Sequence, residues 1–282
     1  MKSSLSGVFA ATLTPYDPGG SVSYDTAGKL ASFLFKSGIS GVCPAGTTGE
    51  FPMLTRDEKA GLNAVSAAAG TVIAGTWGTR EDERAYLAKR AAQDGARAVF
   101  LTTPIFFKAA PEAILSWYRG VRASTSLPVF AYSIPQHTGN PIPLDVLERL
   151  ADEGTINGFK DSSGDFKWME QVVSRLKGRI TIFAGHEAIF AESRNIGVDG
   201  FISGIAGVFP GAVLAAWNGD TGSVERLMKI RSALHEAGTI PGLKYLSMKL
   251  GFDCGNPREP LLPASGRARE TLDALLRDTG TA

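Results

Sequence analysis

Eight short apolar runs, rich in β-branched and aromatic residues, recur along the chain and limit what it can fold into. They are GVFAATLTP (7 to 15), GVCPAG (41 to 46), TVIAGTW (71 to 77), AVFLTTP (98 to 104), PVFAYSIP (128 to 135), INGFK (156 to 160), ITIFAG (180 to 185) and DGFISGIAG (199 to 207). Most lie about 25 to 30 residues apart, the spacing of a strand followed by a crossover helix. The runs are nearly continuous in apolar character, as strands covered on both faces are. Between them the apolar period is that of amphipathic helices, with local start signals. Thr55-Arg56-Asp57-Glu58 predicts a capping box, and Pro111-Glu112 and Pro143-Leu144-Asp145 predict two further helix starts.

Eight such units predict an α/β fold, the (β/α)8 TIM barrel. An open doubly wound sheet is the competitor, but the first run carries no glycine-rich dinucleotide fingerprint. From Asp220 onward the β-rich runs stop and helical patterns take over, over 223 to 237, 242 to 250 and 268 to 278. The expected organisation is therefore a barrel over 1–219 and a C-terminal helical extension over 220–282.

Composition narrows the class of partner. Of 282 residues 44% are hydrophobic, enough for a large core, and 29 basic residues balance 28 acidic ones along the chain. No patch suggests nucleic acid or an acidic membrane, so a small molecule is the expected partner. Cys43 and Cys254 are too few for a disulfide framework and are not spaced as metal ligands, which predicts a reducing, cytoplasmic setting. The first residues lack the apolar region of a signal peptide, and no apolar run approaches the roughly 18 residues of a membrane span.

In such barrels the chemistry lies at the C-terminal ends of the strands. The second run ends in Gly46-Thr47-Thr48-Gly49-Glu50, which reads either as a loop gathering N–H and O–H donors around a carboxylate or phosphate, or as a plain strand-to-helix turn. The fifth ends in Tyr132-Ser133-Ile134-Pro135, where the phenol is either a proton carrier or a packed ring with a wet tip. The sixth ends in Lys160. Burial lowers an amine from its usual pKa of about 10.4, and a neutral amine attacks ketones to give a Schiff base. The alternative is a structural ion pair with Asp161 or Glu50. The seventh and eighth runs supply Ala184-Gly185 and Phe201-Ile202-Ser203-Gly204, small or apolar residues suited to enclosing a small substrate. His137, His186 and His235 show no paired metal-ligand spacing, which leaves His186 with Glu187 as the one metal option and no cofactor expected. No G-x-S-x-G elbow occurs, and Cys43 falls inside a strand.

Taken in order, Gly46-Thr47-Thr48-Gly49-Glu50, Tyr132-Ser133-Ile134-Pro135 and Gly158-Phe159-Lys160-Asp161-Ser162-Ser163-Gly164 closely resemble the dihydrodipicolinate synthase and N-acetylneuraminate lyase family. The resemblance spans nearly the whole chain. It implies a Schiff-base lyase, a class I pyruvate-dependent aldolase that needs no cofactor and forms homotetramers or dimers. It also implies roles for matching positions. Lys160 forms the Schiff base with the 2-oxo acid, Tyr132 shuttles protons, and Thr47 hydrogen-bonds the phenol. Thr48 holds the carboxylate, in the Gly46 loop, and Gly185 and Ile202 flank the pyruvyl group.

Two departures bear on the substrate. The synthases carry, two residues after the strand-four proline, a tyrosine that reaches the neighbouring subunit's site; here Pro104 is followed by Ile105-Phe106-Phe107. They also carry an arginine two residues after the Tyr-x-x-Pro motif, where this chain has His137. Gln136, His137, Ser162 and Ser203 therefore predict a hydroxylated substrate tail rather than a dicarboxylate, although His137 also reads as a donor to a loop carbonyl. The expected reaction is cleavage or formation of a 2-keto-3-deoxy sugar acid or related 4-hydroxy-2-oxo acid. The alternatives are a Schiff-base dehydratase, the dihydrodipicolinate synthase reaction, or a catalytically impaired 2-oxo-acid-binding protein.

Overall fold

The computed structural model describes residues 2–278, so Met1 and residues 279–282 of the expected C-terminal region lie outside the described residues. Each of the eight runs yields one strand: β1 (Gly7–Ala11), β2 (Gly41–Cys43), β3 (Ile73–Gly75), β4 (Ala98–Thr102), β5 (Val129–Ser133), β6 (Gly158–Asp161), β7 (Thr181–Ala184) and β8 (Gly200–Ser203). All pairings are parallel, in the order β2-β1-β8-β7-β6-β5-β4-β3. A parallel bridge between Val42 and Val72 joins the two ends, and the sheet becomes the expected TIM barrel.

The helices that alternate with the strands are α1 (Tyr24–Lys36), α2 (Arg56–Ala69), α3 (Glu81–Gln93), α4 (Pro111–Arg122), the one-turn α5 (Pro135–Thr138), α6 (Leu144–Asp152), α7 (Phe166–Leu176), α8 (Phe190–Asn195) and α9 (Pro210–Trp217). Their starts follow the sequence signals. Thr55 Oγ1 accepts the Glu58 N–H at 3.2 Å while a Glu58 carboxylate oxygen accepts the Thr55 N–H at 2.8 Å, a complete capping box. Such a cap contributes about 1 kcal/mol. Pro111 occupies the first turn of α4, and Pro143 sits one residue outside α6, as its N-cap.

Side chains alternate between two apolar layers, as strand geometry requires. Val8, Val42, Val99, Val129, Phe159 and Phe201 face the helices, whereas Phe9, Cys43, Ile73, Phe100, Phe130 and Phe183 fill the lumen. A Cβ on Gly158 would lie 2.1 Å from the Phe130 ring, so the glycine of the INGFK run makes room for that ring. Burying each of these large side chains contributes about 1.5–3 kcal/mol. Lys160, two residues beyond Gly158, shares its face and so points into the mouth of the barrel.

The C-terminal helices are α10 (Thr221–Ala237), α11 (Thr239–Lys249) and α12 (Gly266–Asp278). Asp220 caps α10 by accepting the Ser223 N–H at 2.9 Å. Leu227, Ile230 and Leu234 of α10 are buried in the same apolar cluster as the outer face of the barrel. That stripe fixes the helix against the sheet end, beside the short 3-10 turn Glu187–Ile189 that follows β7.

Candidate active site

β5, β6 and β7 run in register, with Lys160 opposite Tyr132 on one side and Phe183 on the other. The Lys160 ammonium lies 4.0 Å from the centre of the Tyr132 ring, and the residue is 6% exposed. Among the described residues it makes no ion pair and no hydrogen bond, so its amine is an unengaged polar group of the barrel mouth. Neither expected ion-pair partner reaches it. Glu50 pairs instead with Lys244 of α11 at 3.0 Å, both side chains being fully buried. Asp161 alternates to the opposite face, where one carboxylate oxygen accepts the Ser163 N–H at 3.1 Å and the Ser163 hydroxyl at 2.6 Å. Burial pushes the Asp161 carboxyl up to about 6, against the lowering effect of those two bonds. Its place is to shape the turn after β6.

Room for the lysine comes from Gly185. A Cβ there would lie 2.6 Å from Lys160 Cε and 2.6 Å from the Ser162 hydroxyl, so any larger residue displaces the amine. Three hydrogen bonds stitch the adjoining strand ends together. Ser162 N–H donates to Ser133 O at 2.8 Å, the Ser162 hydroxyl to Gly185 O at 2.9 Å, and the Gln136 amide to Ser162 O at 2.7 Å. The Thr47 hydroxyl is 3.3 Å from the Tyr132 phenol, which joins the loop after β2 to the tip of β5. Cys43 lies deeper in the lumen. Burial pushes its thiol up to about 12 despite the nearby Lys160, which removes it as a nucleophile near neutral pH.

Thr47, Thr48, Tyr132, Lys160, Gly185 and Ile202 line one cavity of about 380 Å³, at the lower end of the roughly 300–1,000 Å³ of small-molecule sites. His137 also lines it, from α5, and among the described residues donates to no loop carbonyl. Gly46 is one expected residue that the cavity does not include: it sits behind the loop, where a Cβ would approach Phe100 to 3.0 Å. Ser203, expected to meet the substrate tail, faces away. It is fully buried and its hydroxyl donates to a Glu187 carboxylate oxygen at 2.7 Å. Phe106 is 88% exposed, in left-handed backbone at φ 75°, with its ring 4.9 Å from that of Phe107. It does not line the cavity of its own chain.

His186 and Glu187 from the turn after β7, considered from the sequence only as metal ligands, line the same cavity, together with Arg231 and His235 of α10, for which the sequence suggested no role. Burial, with the Arg231 charge nearby, holds the His186 imidazole below its ordinary pKa, partly offset by Glu187. His186 Nδ1 accepts the Ala188 N–H at 3.3 Å and Glu187 holds Ser203, and no group of three potential ligands gathers around them among the described residues. A second cavity, of about 440 Å³, is lined by Tyr16, Lys244, Tyr245 and Arg258 and shares no residue with the first. Its inner cations are already committed, Lys244 to Glu50 and Arg258 to Glu58.

Comparison with known proteins places this arrangement in context. The sequence pattern of the dihydrodipicolinate synthetase family matches residues 4–279. An uncharacterized DapA-like lyase of Halobacterium salinarum is 34% identical over 288 residues, spanning 98% of this chain and 94% of that protein. A 4-hydroxy-tetrahydrodipicolinate synthase of Pseudomonas aeruginosa is 30% identical over 289 residues, spanning 98% and 99%. The crystal structure of the dihydrodipicolinate synthase DapA-2 of Bacillus anthracis superposes with a TM-score of 0.90 at 26% identity, covering 98% of each chain.

Proposed function

The chain belongs to the dihydrodipicolinate synthetase family and is a Schiff-base lyase of the class I aldolase type, and on that premise we propose that it cleaves or forms a 2-keto-3-deoxy sugar acid or a related 4-hydroxy-2-oxo acid. The observation that carries this reading is the unpaired Lys160 amine at the mouth of the barrel, beside a phenol held by Thr47. The amine attacks the C2 ketone and water leaves, giving a protonated imine. As the C4 hydroxyl gives up its proton, the electrons of the C3–C4 bond pass to the imine nitrogen, releasing an aldehyde and leaving an enamine. Tyr132 carries the proton to and from the substrate, a role worth roughly 10²–10⁴-fold. C3 then takes a proton, and water frees pyruvate and restores Lys160. Thr48 holds the C1 carboxylate by its hydroxyl and backbone N–H, and Gly185 and Ile202 flank the pyruvyl group.

Trapping tests this directly. Borohydride with pyruvate should add one reduced pyruvyl group to intact protein, mapping to Lys160; no adduct, or one at another lysine, refutes the assignment. Relatives named as 4-hydroxy-tetrahydrodipicolinate synthases favour a second outcome from the same imine, condensation with an aldehyde. His137, where the synthases have an arginine, opposes it. Product analysis separates the readings: release of pyruvate from a 2-keto-3-deoxy acid supports the aldolase, and an unsaturated or semialdehyde product without pyruvate refutes it. The exposed Phe106–Phe107 pair supports self-association of the chain as a dimer or tetramer.

A further inference from the structure

We propose that Arg231 makes the outer end of the Lys160 cavity a seat for a second oxyanion, so that the substrate is a 2-oxo acid ending in a carboxylate or phosphate. The proposal rests on the Schiff-base reading of Lys160 for the near end of the site and concerns only the far end.

Three observations carry it. Arg231 is half-buried and lines the same cavity as Lys160, yet its guanidinium makes no hydrogen bond and no ion pair among the described residues. Three other arginines that are partly or wholly buried are engaged by the protein. Arg84 donates to the carbonyls of Gly78 and Thr79, Arg122 to those of Leu127 and Thr125, and Arg258 to Glu58. With no acceptor among the described residues, the guanidinium is available to an oxyanion that enters the cavity, and a charge-assisted bidentate pair is among the stronger hydrogen-bonded contacts. Second, among the described residues the only carboxylate lining the cavity does not pair with Arg231. Glu187 holds the Ser203 hydroxyl and forms no ion pair with Arg231. The formally cationic side chains that line the cavity with it are Arg231 and Lys160, beside the imidazoles of His137, His186 and His235.

Third, α10 is fixed in place. Leu227, Ile230 and Leu234 anchor it in the core, and Arg231 and His235, four residues apart on one face, project beside that stripe into the cavity. The helix thus presents its cation on a rigid element of the cavity wall. A planar guanidinium suits either a carboxylate or a phosphate, since both offer paired oxygens. The missing arginine at position 137 then changes the direction from which an anionic tail is held, and a neutral, hydroxylated tail is no longer the expected one.

The test compares kcat/KM for three matched substrates, a 2-keto-3-deoxy hexonate with a neutral terminus, its 6-phosphate and its 6-carboxylate, in wild type, Arg231→Gln and Arg231→Lys. Wild type should favour one anionic tail over the neutral one, and the better arm identifies carboxylate or phosphate. Arg231→Gln should lower kcat/KM for that substrate by about tenfold or more, chiefly through KM, while the neutral substrate changes by less than about threefold. Arg231→Lys should recover part of the loss. A wild type that prefers the neutral tail, or an equal loss on all three substrates, overturns the proposal. Trapping of wild type with pyruvate, which has no tail, keeps the two readings apart. No adduct overturns the Schiff base itself, whereas an adduct with no Arg231-dependent tail preference overturns only this inference.

Discussion

Lys244→Met is the most informative test of how the site is held. Lys244 is 3% exposed, and its ammonium meets a Glu50 carboxylate oxygen at 3.0 Å, Thr14 O at 2.8 Å, Cys254 O at 3.0 Å and Asn256 O at 3.3 Å. Those contacts tie α11 and the segment after it to the loop after β1 and to the loop bearing Thr47 and Thr48. Burial lowers the lysine's pKa more than Glu50 raises it, so the pair as a whole adds little net stability. Breaking it from one side is another matter. Methionine keeps most of the volume but leaves Glu50, fully buried, with only the Arg258 N–H at 2.8 Å to hold its charge. Removing one partner of a buried pair costs about 3–5 kcal/mol. Equilibrium urea denaturation of wild type, Lys244→Met, Glu50→Gln and the double variant measures it. The single change at Lys244 should cost at least about 3 kcal/mol, and the double variant should recover about 2 kcal/mol or more of the summed losses. A cost below about 1 kcal/mol for Lys244→Met, or simple additivity in the cycle, refutes the reasoning.

Two further outcomes follow from the geometry. Tyr132→Phe should still trap pyruvate on Lys160, since the ring remains, while kcat falls by roughly 10²–10⁴-fold; a kcat within about threefold of wild type removes the phenol from proton transfer. Asp161 sets a pH dependence of stability. Its carboxyl titrates at about 6 in the fold against 3.8 as the ordinary value, so the folded chain binds the proton more tightly. Stability from this group is complete below the unfolded pKa and is lost as pH rises through 6. The loss amounts to about 3 kcal/mol, at 1.36 kcal/mol per unit. Denaturation of wild type and Asp161→Asn from pH 4 to 7 should show the variant gaining on wild type by that amount, and a flat difference contradicts it.

The barrel was legible because its strands are covered on both faces and so carry no polar alternation to blur them. Their ends were less so. GVCPAG yields only Gly41–Cys43 as strand, because Ala45 and Glu50 take left-handed backbone and turn the chain into the Thr47–Thr48 loop. Alternation also held information that a list of strand-end residues overlooks. Ile202 and Ser203 are neighbours on β8 and cannot both face the lumen, so placing Ile202 in the cavity already sends Ser203 to the opposite side. The same parity separates Lys160 from Asp161. A strict period-2 reading assigns Asp161 to the outer layer and removes it as the lysine's partner.

What no local reading supplies is the charge of the pocket's far end. Arg231 and His235 border the Leu227–Ile230–Leu234 stripe, where a long cationic side chain ordinarily covers apolar surface with its head in water. The helical pattern is identical whether that border faces solvent or a barrel mouth. Only the docking of α10 beside the turn after β7 decides it, and that docking is set by core contacts far along the chain. Glu50 poses the same difficulty, since its counter-charge sits on α11. The expectation of a hydroxylated tail drew on Gln136, His137, Ser162 and Ser203, which are all near β5, β6 and β8 and say nothing of α10. The field at a substrate's tail is a sum over elements, and here a C-terminal helix supplies the term that the loop after β5 lacks.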